Sequence, residues 1–442
     1  MDLTTLQPHL FPPERPQASL TVPVSMMALG GEHDFAGGMS LMVPTRQRAT
    51  VRLARRSDDV LQIALASGPH PQYLRLPGSL LTQALDTPRA LGPMVAQQSG
   101  GEAALPFVAV LRTLVQQAGL APQGLDLWLS WSQDTALYPA LCRALQTALV
   151  IALNRHAHLG LEGRRLPLLA WQAARQYGDP VGPHDFLASF TQQPEHLLPI
   201  LPQPDLTYPP LSLVGGPYPV AIQLAAPDYQ PDLTYRHQRA ACAMGLALLA
   251  QRMGASAEDL QLARDTDERA HLPLEGQLCR LSVAEYERRY RAHLPAAMSG
   301  GDFLRMGVPI PDPAVSVHPY RSYPVQAATT AAVYANERQS HCLGLLRQLN
   351  RQPDPAAYAA LRHSFSDLTL YHQPQADHPM HERLLARIES ISPGLGVIGL
   401  VPVRPPWERA FTLWLKRPLP LEAAATLLPA DLPGYCLATH SG

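Results

Sequence analysis

The stretch Leu29-Gly30-Gly31-Glu32-His33-Asp34-Phe35-Ala36-Gly37-Gly38 sets four glycines, two carboxylates and a histidine within ten residues. The largely apolar run Met39 to Val43 follows, and then Pro44. Glycine lets a backbone curl and approach a ligand, and carboxylates accept hydrogen bonds from hydroxyl groups. The stretch therefore reads either as a loop that holds a small polar ligand or as a plain glycine turn between two strands.

Composition narrows what lies around it. A chain of 442 residues with 46% hydrophobic residues is long enough for two or three domains with sizeable cores. A net charge of −1 gives no electrostatic reason to expect nucleic acid or an anionic membrane as a partner. Lys416 is the only lysine, and no GxxxxGK[ST] phosphate loop is present. The five cysteines, Cys142, Cys242, Cys279, Cys342 and Cys436, are odd in number and far apart. That spacing suits a reducing cytoplasm and argues against a disulfide framework or a zinc ribbon. Neither a signal peptide nor an apolar run of about eighteen residues is seen, so the expected setting is cytoplasmic, without a membrane span.

Hydrophobic spacing outlines an α+β chain. Residues 1–18 read as a flexible, Pro-rich lead-in. The alternations around Val51 and Leu53, and around Leu61, Ile63 and Leu65, predict paired strands. Leu125 to Trp131 predicts another strand. A long buried helix is expected from about Thr135 to Arg155, because apolar residues lie on most of its sides. Shorter helices are expected at Leu166–Tyr177 and His184–Phe190. Prolines and Gly215-Gly216 between Leu206 and Pro217 suggest a crossover into a second α+β domain. Its helices are expected at Leu233–Met253, Ala284–Leu294, Thr329–Leu349, Ala356–His363, His381–Ile391 and Leu421–Leu428. Its strands are expected at Val220–Ala225, Gly396–Val403, Ala410–Leu415 and Gly434–Ala438. The expected division is 1–18, 19–205 and 206–442.

Gly30-Gly31-x-x-Asp34-Phe35-x-Gly37, with Pro44 ten positions after Asp34, resembles the first motif of the GHMP sugar kinases, in particular their galactokinase and arabinokinase branch. Tyr177-Gly178-Asp179-x-Val181-Gly182-Pro183-His184-Asp185-Phe186 resembles the family's Gly-x-Met-Asp-Gln element, in which Asp185 matches the catalytic base. Asp232-Leu233-Thr234-Tyr235-x-x-x-Arg239 resembles a segment whose tyrosine contacts sugar. Ser299-Gly300-Gly301-Asp302-Phe303, His318-Pro319-Tyr320-Arg321-Ser322-Tyr323 and Tyr334-Ala335-Asn336-Glu337-Arg338 resemble the arabinokinase branch. The resemblance spans about residues 20 to 416. It implies a two-domain GHMP kinase fold, with a ribosomal protein S5 domain 2-like N-terminal domain and a ferredoxin-like C-terminal domain. It also implies a sugar site containing Glu32, His33, Asp34 and Tyr235, with Asp185 as the base or its relic.

The same resemblance exposes departures on the nucleotide side. No glycine occurs between Gly124 and Gly160, where the family has its glycine- and serine-rich ATP loop. Asp134 would place a negative charge at the following helix start, where phosphate would otherwise be favoured. The third motif, a glycine turn in the family, is Arg404-Pro405-Pro406-Trp407-Glu408-Arg409 here, and its prolines remove backbone donors. The family's Ala-Pro-Gly-Arg is Val22-Pro23-Val24-Ser25, so Ser25 stands in place of the phosphoryl-binding arginine. Phosphoryl transfer depends on positioning and positive charge around the phosphates.

Three readings follow. The first is a degenerate, catalytically impaired kinase relative, a pseudokinase, that binds a sugar or other polyol in the inter-domain cleft in a sensing or regulatory role. It needs no cofactor and no metal. The second is an active ATP-dependent sugar-1-kinase with a rebuilt nucleotide site using Mg-ATP and Asp185. The third is a structural or interaction protein on the same fold. A protein partner is left open by all three. His156-x-His158 reads as a helix end carrying basic charge, and Arg288-Arg289-x-Arg291 as a solvated face paired with Glu285 and Glu287.

Overall fold

The computed structural model describes residues 7, 9–31, 33–66, 72–83, 91–97, 101–131, 138–176, 182–191, 196–201, 206–224, 231–266, 268–372, 378–391, 394, 396–403, 409–419 and 434–438. The chain forms two compact units. The first holds Met1–Met26 and Val43–Pro194, and the second Met27–Met42 and Glu195–Gly442. This division does not follow a single cut at 205, because the glycine stretch falls in the second unit. Among the described residues no helix is long and apolar enough to cross a membrane.

The first unit is built on strands β1 (Gln17–Leu29), β2 (Ser40–Arg55), β3 (Val60–Leu65), β4 (Gln72–Pro77) and β5 (Leu125–Trp131). The sheet order is β4-β3-β5-β2, and β1 also pairs with β2. β2 and β3 were expected to pair, but β5 lies between them, antiparallel to β2 and parallel to β3. Alternation reveals that a segment is a strand and not who its neighbour is. One sheet face buries Val51, Leu53, Ile63, Leu127 and Leu129 completely. Helices α1 (Leu91–Ala96), α2 (Gly101–Ala118), α3 (Tyr138–Ala157), α4 (Arg165–Gln176) and α5 (His184–Thr191) complete the unit. From Leu141 to Leu153, α3 buries almost every apolar side chain, as a helix that is apolar on most sides must.

The opposite face carries Ala54, Ala64, Asp126 and Trp128. Leu10 and Phe11 pack onto its alanines and Trp128. Asp126, fully buried, accepts hydrogen bonds from Arg15 and from Arg56 Nη1, the latter at 2.9 Å. The expected flexible lead-in is therefore held in place from Leu10 to Gln17, because it covers this apolar face and neutralises a buried carboxylate.

In the second unit, residues Ser40–Met42 of β2 pair antiparallel with β6 (His196–Leu201). That strand also pairs with the two-residue strands β7 (Leu206–Thr207) and β8 (Leu211–Ser212). The other strands are β9 (Tyr218–Leu224), β10 (Met298–Ser299), β11 (Ser322–Tyr323), β12 (Val397–Val403), β13 (Arg409–Leu415) and β14 (Gly434–Ala438). A four-stranded antiparallel sheet has the order β12-β13-β9-β14. The helices are α6 (Pro231–Arg252), α7 (Ala257–Thr266), α8 (Val283–Glu285), α9 (Gly300–Arg305), α10 (Val325–Arg351), α11 (Pro355–His372) and α12 (His378–Ile391). Leu384 and Ile388 of α12 pack on Val220, Ile222 and Leu413 of the sheet. Lys416, just past β13, is exposed and lays its ammonium over the Tyr358 ring at 4.7 Å.

Helices α6 and α10 share a core rich in small residues, including Ala240, Ala241, Ala247, Ala328, Ala332 and Ala335. Small side chains let two helix backbones come close, so polar groups at their edges meet with little slack. The helix expected over Ala284–Leu294 is instead broken. It runs as α8, a π-turn at Tyr286–Tyr290 and a 3₁₀ turn at Arg291–His293. Tyr286 is fully buried, and its hydroxyl lies 2.7 Å from Thr330 Oγ1 of α10, while the Tyr334 hydroxyl donates to Glu287. These anchors on α10 accompany the change of helix type. The basic face behaves as its sequence suggests: Arg289 pairs with Glu285 and Arg291 with Glu287.

Candidate functional site

The chain leaves β1 at Leu29 and enters β2 at Ser40, and the turn between them is tight. Gly30, Gly31 and Gly37 have φ of +93°, +94° and +85°, a region that other residues enter only with strain. A Cβ on Gly30 would lie 2.5 Å from Met39 O and 3.0 Å from Gln339 Nε2. Asp34–Ala36 forms a 3₁₀ turn, closed by Gly37 N donating to Asp34 O and Gly38 N donating to His33 O at 2.8 Å. The Asp34 side chain accepts from Phe35 N at 2.7 Å and is 3% exposed. The charge of Asp34 is felt by a neighbouring thiol: burial pushes Cys279 up, and Cys242 and Asp34 add to the effect.

Two helices hold this turn. From α6, Gln238 Nε2 lies 3.1 Å from His33 Nε2. An amide nitrogen only donates, so with the amide oriented this way the ring nitrogen accepts and the imidazole proton sits on Nδ1. The next residue, Arg239, places its guanidinium 5.9 Å from the centroid of Phe35. Arg239 is itself fixed by Asp312, through Nε at 2.8 Å and Nη2 at 2.7 Å, and Arg269 adds a second cation at 3.5 Å. Burial alone would raise the Asp312 carboxyl, but Arg239 and Arg269 outweigh it and hold it below the ordinary carboxylate range. From α10, Asn336 accepts from Met39 N at 2.7 Å and donates to Gly37 O at 3.3 Å.

The sequence-derived site residues are distributed as follows. His33 and Asp34 lie together in this turn, both buried. Glu32 lies outside the described residues. Tyr235 lies within α6, and its side chain lies outside the described residues. Asp185 belongs to the first unit, in the first turn of α5. There it is 5% exposed and accepts from Arg143 Nη1 of α3, itself 2% exposed, with His184 Nε2 3.7 Å away. A carboxylate so engaged is an acceptor and a counter-ion before it is anything else. Ser25 is buried in β1.

Ser132–Leu137, Tyr177–Val181, Arg404–Glu408 and the helix expected at Leu421–Leu428 lie outside the described residues. β5 ends at Trp131 and α3 begins at Tyr138, so the connection between them is a glycine-free six-residue stretch. No group of three or more potential metal ligands occurs among the described residues.

Sequence reasoning missed Gln238, Gln277, Asp312 and Gln339, and it picked out Arg239 and Asn336 only as parts of longer resembling segments. A signal was present. Ala332, Asn336, Gln339 and Leu343 fall on one stripe of α10, and two amides on an otherwise apolar stripe call for partners.

No family model matches the chain, and no curated protein matches it. Among solved structures it is similar to the galactokinase of Lactococcus lactis complexed with galactose, with a TM-score of 0.67 and 12% identity over 99% of this chain and 96% of that one. It is also similar to the mevalonate kinase of Methanococcus jannaschii, with a TM-score of 0.53 and 8% identity over 96% of this chain and 99% of that one. At such identities the likeness concerns the fold, which is the two-domain α+β fold of the GHMP kinases.

Proposed function

We propose that this chain is a degenerate relative of the galactokinase and arabinokinase branch. It takes a sugar or other polyol at the Asp34 turn and serves a sensing or regulatory role without transferring phosphate. The observation that carries this reading is the contrast between two connections. The turn at 30–38 keeps its glycines, three of them at positive φ, and is held from α6 and α10. The connection from β5 to α3 has none, and by the resemblance of Val22-Pro23-Val24-Ser25 to the family motif Ser25 replaces the phosphoryl-binding arginine. A hydroxyl ligand needs acceptors such as Asp34, whereas a triphosphate needs backbone N–H groups and positive charge.

Calorimetry with D-galactose and L-arabinose, beside a thermal-shift series with Mg·ATP, tests the proposal. Sugar binding without an Mg·ATP shift is the expected result. Tight Mg·ATP binding, with sugar-dependent ADP release that is abolished by Asp185→Asn, would overturn it.

One observation favours the active alternative, an ATP-dependent sugar-1-kinase. Arg143 brings a guanidinium to Asp185, in a unit where Ser25 supplies none. In that reading Asp185 takes the proton of the sugar hydroxyl and Mg·ATP is the phosphate donor. The ADP-release assay separates the two.

A further inference from the structure

We propose that Asn336 is the positioning residue of the Asp34 turn, the side chain that holds the turn in one shape for its ligand. The proposal rests on the reading of that turn as a polyol site. Asn336 makes three hydrogen bonds from one amide group. Its Oδ1 accepts from Met39 N at 2.7 Å, and its Nδ2 donates to Gly37 O and to Cys279 O, each at 3.3 Å. The first two bonds bracket Gly38 as a neighbouring strand would, taking a carbonyl and then the N–H two residues later. The third ties the turn to the segment Leu278–Arg280. Gln277, just before that segment, and Gln339, one turn further along α10, close on the turn as well. A Cβ on Gly37 would meet Gln277 Oε1 at 2.9 Å, and one on Gly30 would meet Gln339 Nε2 at 3.0 Å.

A turn with four glycines in ten residues has much freedom to lose on ordering, and its own backbone bonds close the 33–38 ring. Asn336 supplies the fixed points on the exit side, Gly37 O and Met39 N. Only Asn offers an acceptor and a donor at this reach. Aspartate keeps the acceptor for Met39 but turns a second oxygen onto two carbonyls, and alanine offers neither. Ordering the turn before a ligand arrives removes that entropy from binding, so Asn336 governs affinity through Asp34 without being required to touch the ligand.

The test uses the full chain. Hydrogen exchange is followed by segment in the unmodified protein, Asn336→Ala and Asn336→Asp, together with calorimetry against D-galactose and L-arabinose. In both variants, exchange of the 33–42 segment is expected to rise about tenfold or more, while that of 342–349 in α10 stays unchanged. Sugar affinity is expected to fall about tenfold, and in an Asp34→Ala background Asn336→Ala should remove little more.

Unchanged exchange at 33–42 would overturn the proposal. So would uniform loosening of the whole second unit, or an affinity loss that persists in full without Asp34. If the unmodified protein binds neither sugar while the exchange result holds, the polyol reading fails and the clamp stands.

Discussion

Two connections in this chain have opposite characters. One joins β1 to β2 through 30–39, with Gly30, Gly31 and Gly37 in the left-handed region and buried His33 and Asp34 between them. The other joins β5 to α3 through 132–137, in which glycine is absent. In the proposed reading the first connection serves a polyol, while the second lacks the glycines that a phosphate-binding turn needs. The first is held to one backbone shape by its glycines, whereas the sequence of the second makes no such demand.

The largest effect is expected in the first unit, at the buried ion pair of Arg143 and Asp185. Arg143→Met strips the guanidinium from a carboxylate that is 5% exposed, and should destabilise the unit by about 3–5 kcal/mol in a denaturant titration. Arg143→Met combined with Asp185→Leu should regain most of the loss, because no charge is then left buried. A single-variant loss below about 1 kcal/mol would mean that Asp185 is not held by this pair and is available for other chemistry.

Next comes the turn itself. Gly30→Ala forces a side chain to φ near +93° and against Met39 O, and should cost about 1–3 kcal/mol by the same titration. A neutral result would erase the contrast between the two connections. Gly344, inside α10 with open space where its Cβ would go, supplies the control. There Gly344→Ala should stabilise by about 0.5–1 kcal/mol.

The pH dependence separates buried from exposed charge, and the exposed pair gives the smallest effect. The Asp312 carboxyl titrates below its unfolded value of about 4, so the unfolded chain binds more protons across that interval. Its stabilising contribution is complete above the unfolded value and is lost as pH falls through the lowered folded one. Acid unfolding followed at Phe35 and Arg239 contacts should begin earlier in Asp312→Asn, and that variant should show a weaker pH dependence below pH about 4. Arg289→Ala, which breaks an exposed pair, should leave the unfolding midpoint where it was.

The elements themselves were largely legible. Leu125–Trp131 matches its strand end to end, and the long apolar helix before Arg155 appears as Tyr138–Ala157. What sequence alone left hidden was partnership. The insertion of β5 between β2 and β3 rests on non-local pairing that no local period encodes. The break of 283–293 into three helix types follows the anchoring of Tyr286 and Tyr334, which no local pattern announces. In the site, glycine and carboxylate spacing pointed to Asp34. The amides that hold its turn, Gln238 and Asn336, arrive from more than two hundred residues away, and the stripe that marks Asn336 as needing a partner does not say which partner.

The single lysine has a practical consequence. Reagents that acylate side-chain amines find one target in the whole chain, Lys416 beside Tyr358. A fluorophore coupled to that side chain sits just past the end of the inner strand β13, and Tyr358 provides a quencher at contact distance. The protein thus offers a single side-chain amine as a labelling handle in its second unit, with no engineered cysteine, once the α-amino group is blocked or labelled selectively by pH.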